Sequence, residues 1–600
     1  MIDIQKSLLY RYLFITIILL LVYGNTLNHE FVWDDNDLIV YNPLLEKLSN
    51  IPQFFFLEDK FETPTGYYRP MTYVSFSLDR AVWGVNPVGF NITNLFLHIL
   101  VAITFYRVVV ALFNRENLGF VAALVFSLHP LAVETVNFHA GGRNTLLSAC
   151  FSLLSLLFYI KKKHIPAAAC FTLALFSKEF ALLMPVIFIL YDYRIRLEKP
   201  KLRIYKLYLI PLICYLALRS LAVSKANFLA TIHFSERLLL APLFVIRYLV
   251  NMVVPFQLKV YYSGQVNFYI AILCLIGVIL LISMLYVVRK NSELFIAICW
   301  FLLFLLPVMN VIPLPSSALM ADRYAYFALM GFALAVASFL CKWKLRVMVS
   351  STVLLCTLYS VMDIKQNNIW KNDFTLFTQM TKDAPETYFG YGALGLYYYD
   401  KGDLKNAERY LTISCSKPDF PISHMFFVAT VFCEANRFDK AEPLLLKSVE
   451  SRPSYIEPYA ILEMIYTKRG DLMRAKIWHD KAVANIPDEE KTRIQLAGSL
   501  CRSGEQFINN RNYIRAGNSL WRSLLVKPDF VPAMVAMGRL DYERGDYVNA
   551  AGYLVKAITL EPSNASAHYN LSLVYRKQGE TTKAQDEMNK FNEAETLQKP

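Results

Sequence analysis

The chain is short of charge. Only 18% of its 600 residues are Asp, Glu, Lys or Arg, against about 25% in an ordinary soluble chain, and 55% are hydrophobic. That excludes a disordered chain and argues against a wholly soluble one. Organised cysteine is also missing. The ten Cys form no CxxC and no Cys/His spacing suited to a metal. Seven lie in the apolar first part, where buried or lipid-facing thiols are expected instead of a disulfide or zinc framework. The net charge of +13 does not point to nucleic acid. Residues 1–365 hold 31 basic and 19 acidic residues, a balance of +12, whereas residues 366–600 hold 30 and 29, a balance of +1. The excess sits among apolar runs, where Lys and Arg placement encodes topology.

What the chain has in quantity is hydrophobic length. Runs able to span a bilayer lie near 8–24, 89–112, 118–136, 144–160, 204–222, 267–288, 294–314, 324–341 and 345–362. The stretch 165–191 reads as two short helices broken by Ser177-Lys178-Glu179, because a charged pair at the lipid midplane is costly. The first run has no small-residue cleavage site after it and reads as an uncleaved signal anchor. Six basic clusters fall on one side if residues 236–255, with Arg247 and two prolines, form a re-entrant or interfacial helix. They are Lys6/Arg11, Arg115, Lys161-Lys162-Lys163, 194–206, Arg289-Lys290 and 342–346. The reading gives eleven spans, a cytoplasmic N-terminus, and everything after residue 363 outside. The outer face then receives loops 25–88 and 129–143, Lys178-Glu179, segment 223–266 and loop 315–323. The cytoplasmic loops hold little besides basic residues and turns, so chemistry is expected on the outer face.

The second part repeats. Ala407, Ala441, Ala475, Ala516, Ala550 and Ala584 are spaced by 34, 34, 41, 34 and 34 residues. Gly402, Gly470, Gly545 and Gly579 each precede such an Ala by five, and Pro453, Pro487, Pro528 and Pro562 each follow one by twelve. Leu394, Gly395 and Tyr398 open the pattern, and Leu571 and Tyr575 repeat it. This resembles the tetratricopeptide repeat. Small residues let paired helices approach, Gly turns between them, and Pro ends the second. Six helix pairs are expected to stack into a right-handed superhelix whose inner groove binds an extended peptide or a helix. Seven extra residues around 503–512 are read as a longer loop. The fold class is therefore all-α: a polytopic membrane domain over 1–365, a linker over 366–386, and a repeat solenoid over 387–600.

Just past the first span stands Phe31-Val32-Trp33-Asp34-Asp35-Asn36-Asp37. Three carboxylates beside aromatics at a membrane surface have three readings: a general base for an acceptor hydroxyl, oxygen ligands for a divalent cation, or a solvated turn. Other charged motifs sit at predicted outer helix ends. They are Tyr67-Tyr68-Arg69-Pro70, His129-Pro130 with Glu134, Gly142-Arg143, Ser177-Lys178-Glu179 and Asp322-Arg323-Tyr324. Each has a bland reading: His129 as a helix cap, Arg143 snorkelling to headgroups, Lys178 paired with Glu179. Together they place cations and carboxylates around one cavity, and cations at that depth suit a lipid-linked phosphate.

Taken in order, FVWDDNDLIVYNP at 31–43, YYRPMTYVSF at 67–76, HPLAVETV and GGRNTLLS within 129–148, LFSKEFALLMP at 175–185 and DRYAYFALMG at 322–331 resemble a GT-C superfamily glycosyltransferase. With the repeats, the chain resembles the transmembrane-and-tetratricopeptide O-mannosyltransferase group and its bacterial relatives. The resemblance implies transfer of a sugar from a polyprenyl-phosphate carrier to an extracytoplasmic acceptor, with protein Ser/Thr hydroxyls as the leading acceptor. It implies Asp34 or Asp35 as the catalytic carboxylate, with Asp34 favoured. Lys178 and Arg323 would offset the donor phosphate, with Arg69 and Arg143 as second choices. Glu179, His129, Glu134, Tyr68, Asp322 and Tyr324 would support them. No metal is required, although Asp37 leaves a divalent cation open. The repeats would engage a protein acceptor or partner. Two alternatives stand: a transferase for a lipid or surface glycan, and a non-catalytic scaffold using its repeats for assembly. The Trp-rich stretch of animal relatives is replaced here by 240–255, so these residues do not support mannose in particular. A bacterial inner membrane is expected, from the compact membrane part and the Gln598-Lys599-Pro600 end without a retention signal; the endoplasmic reticulum would give the same topology.

Overall fold

The computed structural model describes residues 2–56, 67–199, 202–222, 234–262, 268–311, 320–453, 457–484, 490–509 and 513–598. Parts of three expected outer segments, at 57–66, 223–233, 263–267 and 315–319, lie outside the described residues. The chain forms two compact units, Met1–Gly390 and Tyr391–Pro600.

The first unit contains α1 (Ile2–Tyr23), α2 (Pro70–Trp83), α3 (Pro87–Phe113), α4 (Glu116–Ser127), α5 (Val133–Asn137), α6 (His139–Ile160), α7 (His164–Ser177) and α8 (Met184–Tyr191). It continues with α9 (Leu202–Ala222), α10 (Phe234–Val253), α11 (Phe268–Val287), α12 (Ser292–Leu305), α13 (Tyr326–Leu340), α14 (Leu345–Asn367) and α15 (Asp373–Asp383). α6 packs on α3 and α7, α13 on α4 and α12, and α1 on α3 and α14. α3, α6 and α13 are largely covered by protein, whereas α9 and α11 are apolar and mostly uncovered. Uncovered apolar helix surface is what lipid would solvate.

Among the described residues, seven helical stretches are long and apolar enough to cross a membrane. They match seven of the nine long runs read from the sequence. The other two differ. The run 118–136 is broken by 57° between α4 and α5, and the run 294–314 is the shorter apolar helix α12. The break has a local cause. Pro130 opens a short turn at Pro130–Ala132, and His129 Nδ1 accepts the Leu131 N–H at 3.1 Å, capping that turn. A second sharp turn separates α5 from α6. A Cβ on Gly142 would stand 2.0 Å from the Thr135 carbonyl oxygen, so only glycine lets the chain fold back there.

Residues 366–386 are not a linker. Asn367 ends α14 and α15 follows within six residues. Leu376, Phe377 and Met380 of α15 are buried, as is Trp370. The polar look of this stretch in sequence comes from one amphipathic face of a short helix.

The second unit is a run of paired helices. α16 (Phe389–Asp400) leads into α17 (Leu404–Cys415), then α18 (Ile422–Glu434) with α19 (Phe438–Ser451), and α20 (Glu457–Lys468) with α21 (Leu472–Val483). α22 (Glu490–Asn509) with α23 (Tyr513–Val526), α24 (Val531–Glu543) with α25 (Tyr547–Leu560), and α26 (Ala565–Lys577) with α27 (Thr581–Gln598) complete it. The six periodic alanines are all buried. The second repeat lacks the turn glycine, and Asn436 fills the position with φ +57, a conformation that asparagine tolerates. The extra residues of the fourth repeat are helical up to Asn509, because Ile508 is buried and Gly504 packs on Leu520; the remainder, 510–512, lies outside the described residues.

Candidate active site

The acidic loop leaves α1 and turns at Trp33, whose φ is +53. A bulky residue holds that conformation only when its surroundings fix it. Here Trp33 N donates to Asp373 Oδ1 at 2.8 Å, and its ring stacks on Phe138 at 5.4 Å and 12°. Phe138 in turn stacks on Trp370 at 5.6 Å and 27°. The turn sends the two adjacent carboxylates in opposite directions. Asp35 is fully buried; it accepts from Ala140 N at 2.6 Å, His139 Nδ1 at 2.9 Å and Val32 N at 3.3 Å. It anchors the loop on the N-terminus of α6, a favourable place for negative charge. Asp34 is exposed. Burial of its surroundings raises its pKa to about 6; Arg323 opposes the rise, and Asp35 and Asp37 add to it.

Three cations form the rest of the cluster. Arg323 is bound through its side chain to Glu134, and its backbone N–H donates to the same carboxylate at 2.9 Å. Its guanidinium lies over Phe138 and Tyr324, and against Gly141, where a Cβ would meet Arg323 Nε at 2.8 Å. Arg69 makes a two-pronged pair with Glu179, at 2.6 and 3.1 Å, and stacks on Tyr67 at 3.8 Å. Burial alone would raise the Glu179 carboxyl, but Arg69 outweighs it and holds the pKa at about 2.

Lys178 differs from both. It is 1% exposed, its Nζ donates to Thr145 Oγ1 at 2.7 Å, and among the described residues it forms no ion pair. Aromatic faces of Phe180 and Tyr324 lie 4.7 and 5.6 Å from Nζ. Burial and Arg69 push its pKa well below the ordinary lysine value. Arg69, Glu179, Arg323 and Glu134 all act electrostatically on Lys178, and Arg323 also acts on Asp34.

Three residues expected in the site are used elsewhere. Arg143 is fully buried and donates to Asp79 Oδ2 and Ser75 Oγ at 2.7 Å, to Phe90 O at 3.1 Å, and to Asn94. It ties α2, α3 and α6 together; with four of its five N–H groups bonded to protein and no exposed surface, it has no open face for a phosphate. Arg143→Ala would strand Asp79 and is expected to cost about 3–5 kcal/mol, read as a lowered melting temperature. A variant of wild-type stability would overturn this structural assignment. His129 is buried; Nε2 bonds Met252 O at 2.8 Å and Nδ1 caps the turn, the bland reading. Tyr68 is buried with its OH on Phe55 O at 2.9 Å. Asp322 is buried beside Arg323 and accepts from Tyr262 OH at 2.7 Å.

Several partners had no place in the sequence reading of the site: Thr145, His139, Tyr262, Asp373 and Asp383. Thr145 lies two residues past Arg143 inside a quoted motif. The others carry no local signal, since Asp373 meets Trp33 across 340 residues and Tyr262 meets Asp322 across 60.

Fold and site together define a polytopic helical membrane protein with a buried charged site, joined to a tetratricopeptide-repeat solenoid. The TPR repeat family model matches residues 538–579. Over 92% of its length the chain is 24% identical to protein O-mannosyl-transferase TMTC3 of Mus musculus, spanning 64% of that protein. It is 36% identical over 151 residues to protein O-mannosyl-transferase TMTC2 of Mus musculus, covering 24% of this chain and 18% of that one. A crystal structure of MamA aligns at 19% identity with a TM-score of 0.17, covering 28% of this chain and 93% of that one. The chain thus resembles the transmembrane-and-tetratricopeptide protein O-mannosyl-transferases, and spans less than two thirds of the length of TMTC3.

Proposed function

We propose that this protein is a membrane glycosyltransferase that moves a sugar from a polyprenyl-phosphate carrier to a Ser or Thr hydroxyl of an extracytoplasmic protein. One observation carries the reading. Asp34, an exposed carboxylate with a raised pKa, and Lys178, a buried lysine that among the described residues forms no ion pair, both feel the charge of Arg323. Such a pair suits proton removal from an alcohol next to a place where negative charge develops. The acceptor hydroxyl gives its proton to Asp34 while its oxygen bonds the sugar's anomeric carbon. The bond from that carbon to the phosphate oxygen breaks, and the electron pair leaves on the phosphate. Lys178, helped by Arg323 and Arg69, offsets the new charge. Glu134 and Glu179 orient the two arginines, and Asp322 and Tyr324 wall the site.

The relatives' name, protein O-mannosyl-transferase, supports a protein acceptor. The repeats would hold that acceptor and raise its effective concentration. They lie on the extracytoplasmic side, with the N-terminus cytoplasmic, in a bacterial inner membrane or, in a eukaryote, the endoplasmic reticulum. The test compares glycoproteomes of cells carrying wild type and Asp34→Asn at matched expression. Loss of one sugar from a defined set of extracytoplasmic peptides is expected. An unchanged glycoproteome with altered lipid-linked or surface glycans would shift the acceptor, and no change in either would leave the scaffold reading. Deleting 391–600 should alter acceptor choice while donor binding persists.

A further inference from the structure

α15 is tied at both ends to loops that carry site residues. At its start, Lys371 O accepts from Glu30 N at 2.9 Å. Asp373 accepts from Trp33 N at 2.8 Å and from Asn36 Nδ2 at 3.3 Å. At its end, the Asp383 carboxylate accepts from Val260 N at 2.7 Å, and its carbonyl from Lys259 Nζ at 2.8 Å. Two residues on, Tyr262 donates to Asp322 at 2.7 Å, next to Arg323. Phe389 closes the arrangement, stacking on Tyr261 at 5.0 Å and 4° and lying 5.5 Å from Trp33.

Asp373, in the first turn, also suits its helix dipole, and Asp383 also accepts from Gln379 Nε2 at 2.8 Å, but neither role accounts for the bonds to the two loops. Asp383 is buried at the C-terminal end of α15, where the helix dipole disfavours negative charge. Asn372 already caps the N-terminus by accepting Thr375 N at 3.0 Å, which leaves Asp373 to face the acidic loop. Its bond to Trp33 helps hold the left-handed turn that separates Asp34 from Asp35.

We propose that α15 is a clamp in which Asp373 positions the loop carrying Asp34 and Asp383 positions, through Tyr262, the turn carrying Asp322 and Arg323. The acidic loop and the Asp322-Arg323 turn are thereby set by one short helix. Asp373 and Asp383 are positioning residues. Their effect on transfer rests on the function proposed above; the clamp itself does not.

The test uses the full-length protein in lipid nanodiscs and amide hydrogen exchange read on peptides covering 30–37 and 257–262. Asp373→Ala should speed exchange of the first peptide at least tenfold and leave the second within twofold. Asp383→Ala should do the reverse. Asn at either position keeps an oxygen for the loop N–H and should restore most of the protection. In cells, sugar transfer should fall at least tenfold in Asp373→Ala and stay within threefold in Asp373→Asn. Should an Ala variant not fold, the Glu variant, which displaces the acceptor but keeps the charge, gives the same local readout. Unchanged exchange, or equal loosening of both loops by either substitution, would overturn the clamp. Full transfer by Asp34→Asn would overturn the site reading instead, and exchange alone would then decide the clamp.

Discussion

Asp34→Asn is expected to lower sugar transfer by about 10² to 10⁴-fold, the usual worth of a general base, with the melting temperature unchanged. The side chain is exposed and among the described residues makes no hydrogen bond, so its loss leaves the loop in place. Asp35→Asn should behave in the opposite way. It puts an amide among three donors in a fully buried pocket, and an NH₂ must then face an N–H. A cost of about 1–3 kcal/mol in stability is expected, with transfer lost only as the loop loosens. The pH profile separates the two further. The base works deprotonated, so the rate should rise about tenfold per unit below the Asp34 pKa, raised from 3.8 to about 6, and level off above it. Initial rates in vesicles between pH 4.5 and 8, at saturating donor, would show this. A midpoint near 4, or an active Asp34→Asn variant, would remove Asp34 from the role.

That contrast marks where sequence stops being informative. Asp34 and Asp35 are neighbours of identical chemistry, and nothing local tells them apart. Their difference comes from His139 and Ala140, about a hundred residues on, which capture one carboxylate and leave the other open. The solenoid lay at the other extreme. Each repeat contacts mainly its neighbours, so Ala, Gly and Pro spacing carries nearly the whole fold. Of the two missing glycines, the one in the second repeat is covered by an Asn in the same left-handed turn. Hydropathy located the apolar helices well, because length and composition are local properties. It did not reveal that Pro130 breaks one of them, or that a polar-looking connector is the helix α15. Arg143 shows the remaining hazard. A glycine-arginine motif near other cations suggested a ligand, whereas Asp79, Ser75, Asn94 and the Phe90 carbonyl already occupy the guanidinium. Whether a buried charge is spent or available depends on partners far away in the chain.

Lys178 is the buried charge that is available, and this gives a prediction of opposite sign for activity and stability. An ammonium held away from water without a counter-ion destabilises the fold. Nearby Arg69 and Arg323 add repulsion, which Glu179 and Glu134 only partly offset. Lys178→Met keeps most of the side-chain volume while giving up one hydrogen bond to Thr145 and the cation–π contacts with Phe180 and Tyr324, which together are worth less than the desolvation it relieves. The variant should therefore melt at the same temperature as wild type or higher. Transfer should nevertheless fall by about 10² to 10³-fold, the cost of losing one pre-aimed group from the place where leaving-group charge develops. Such a trade of stability for activity is what a site assembled for an anion would show, and a lysine kept only for packing would not. The measurement pairs a thermal melt in detergent with transfer rates in vesicles. A Lys178→Met protein that is less stable and fully active would mean that the lysine holds the fold, and the phosphate would then have to be met by Arg323 and Arg69 alone.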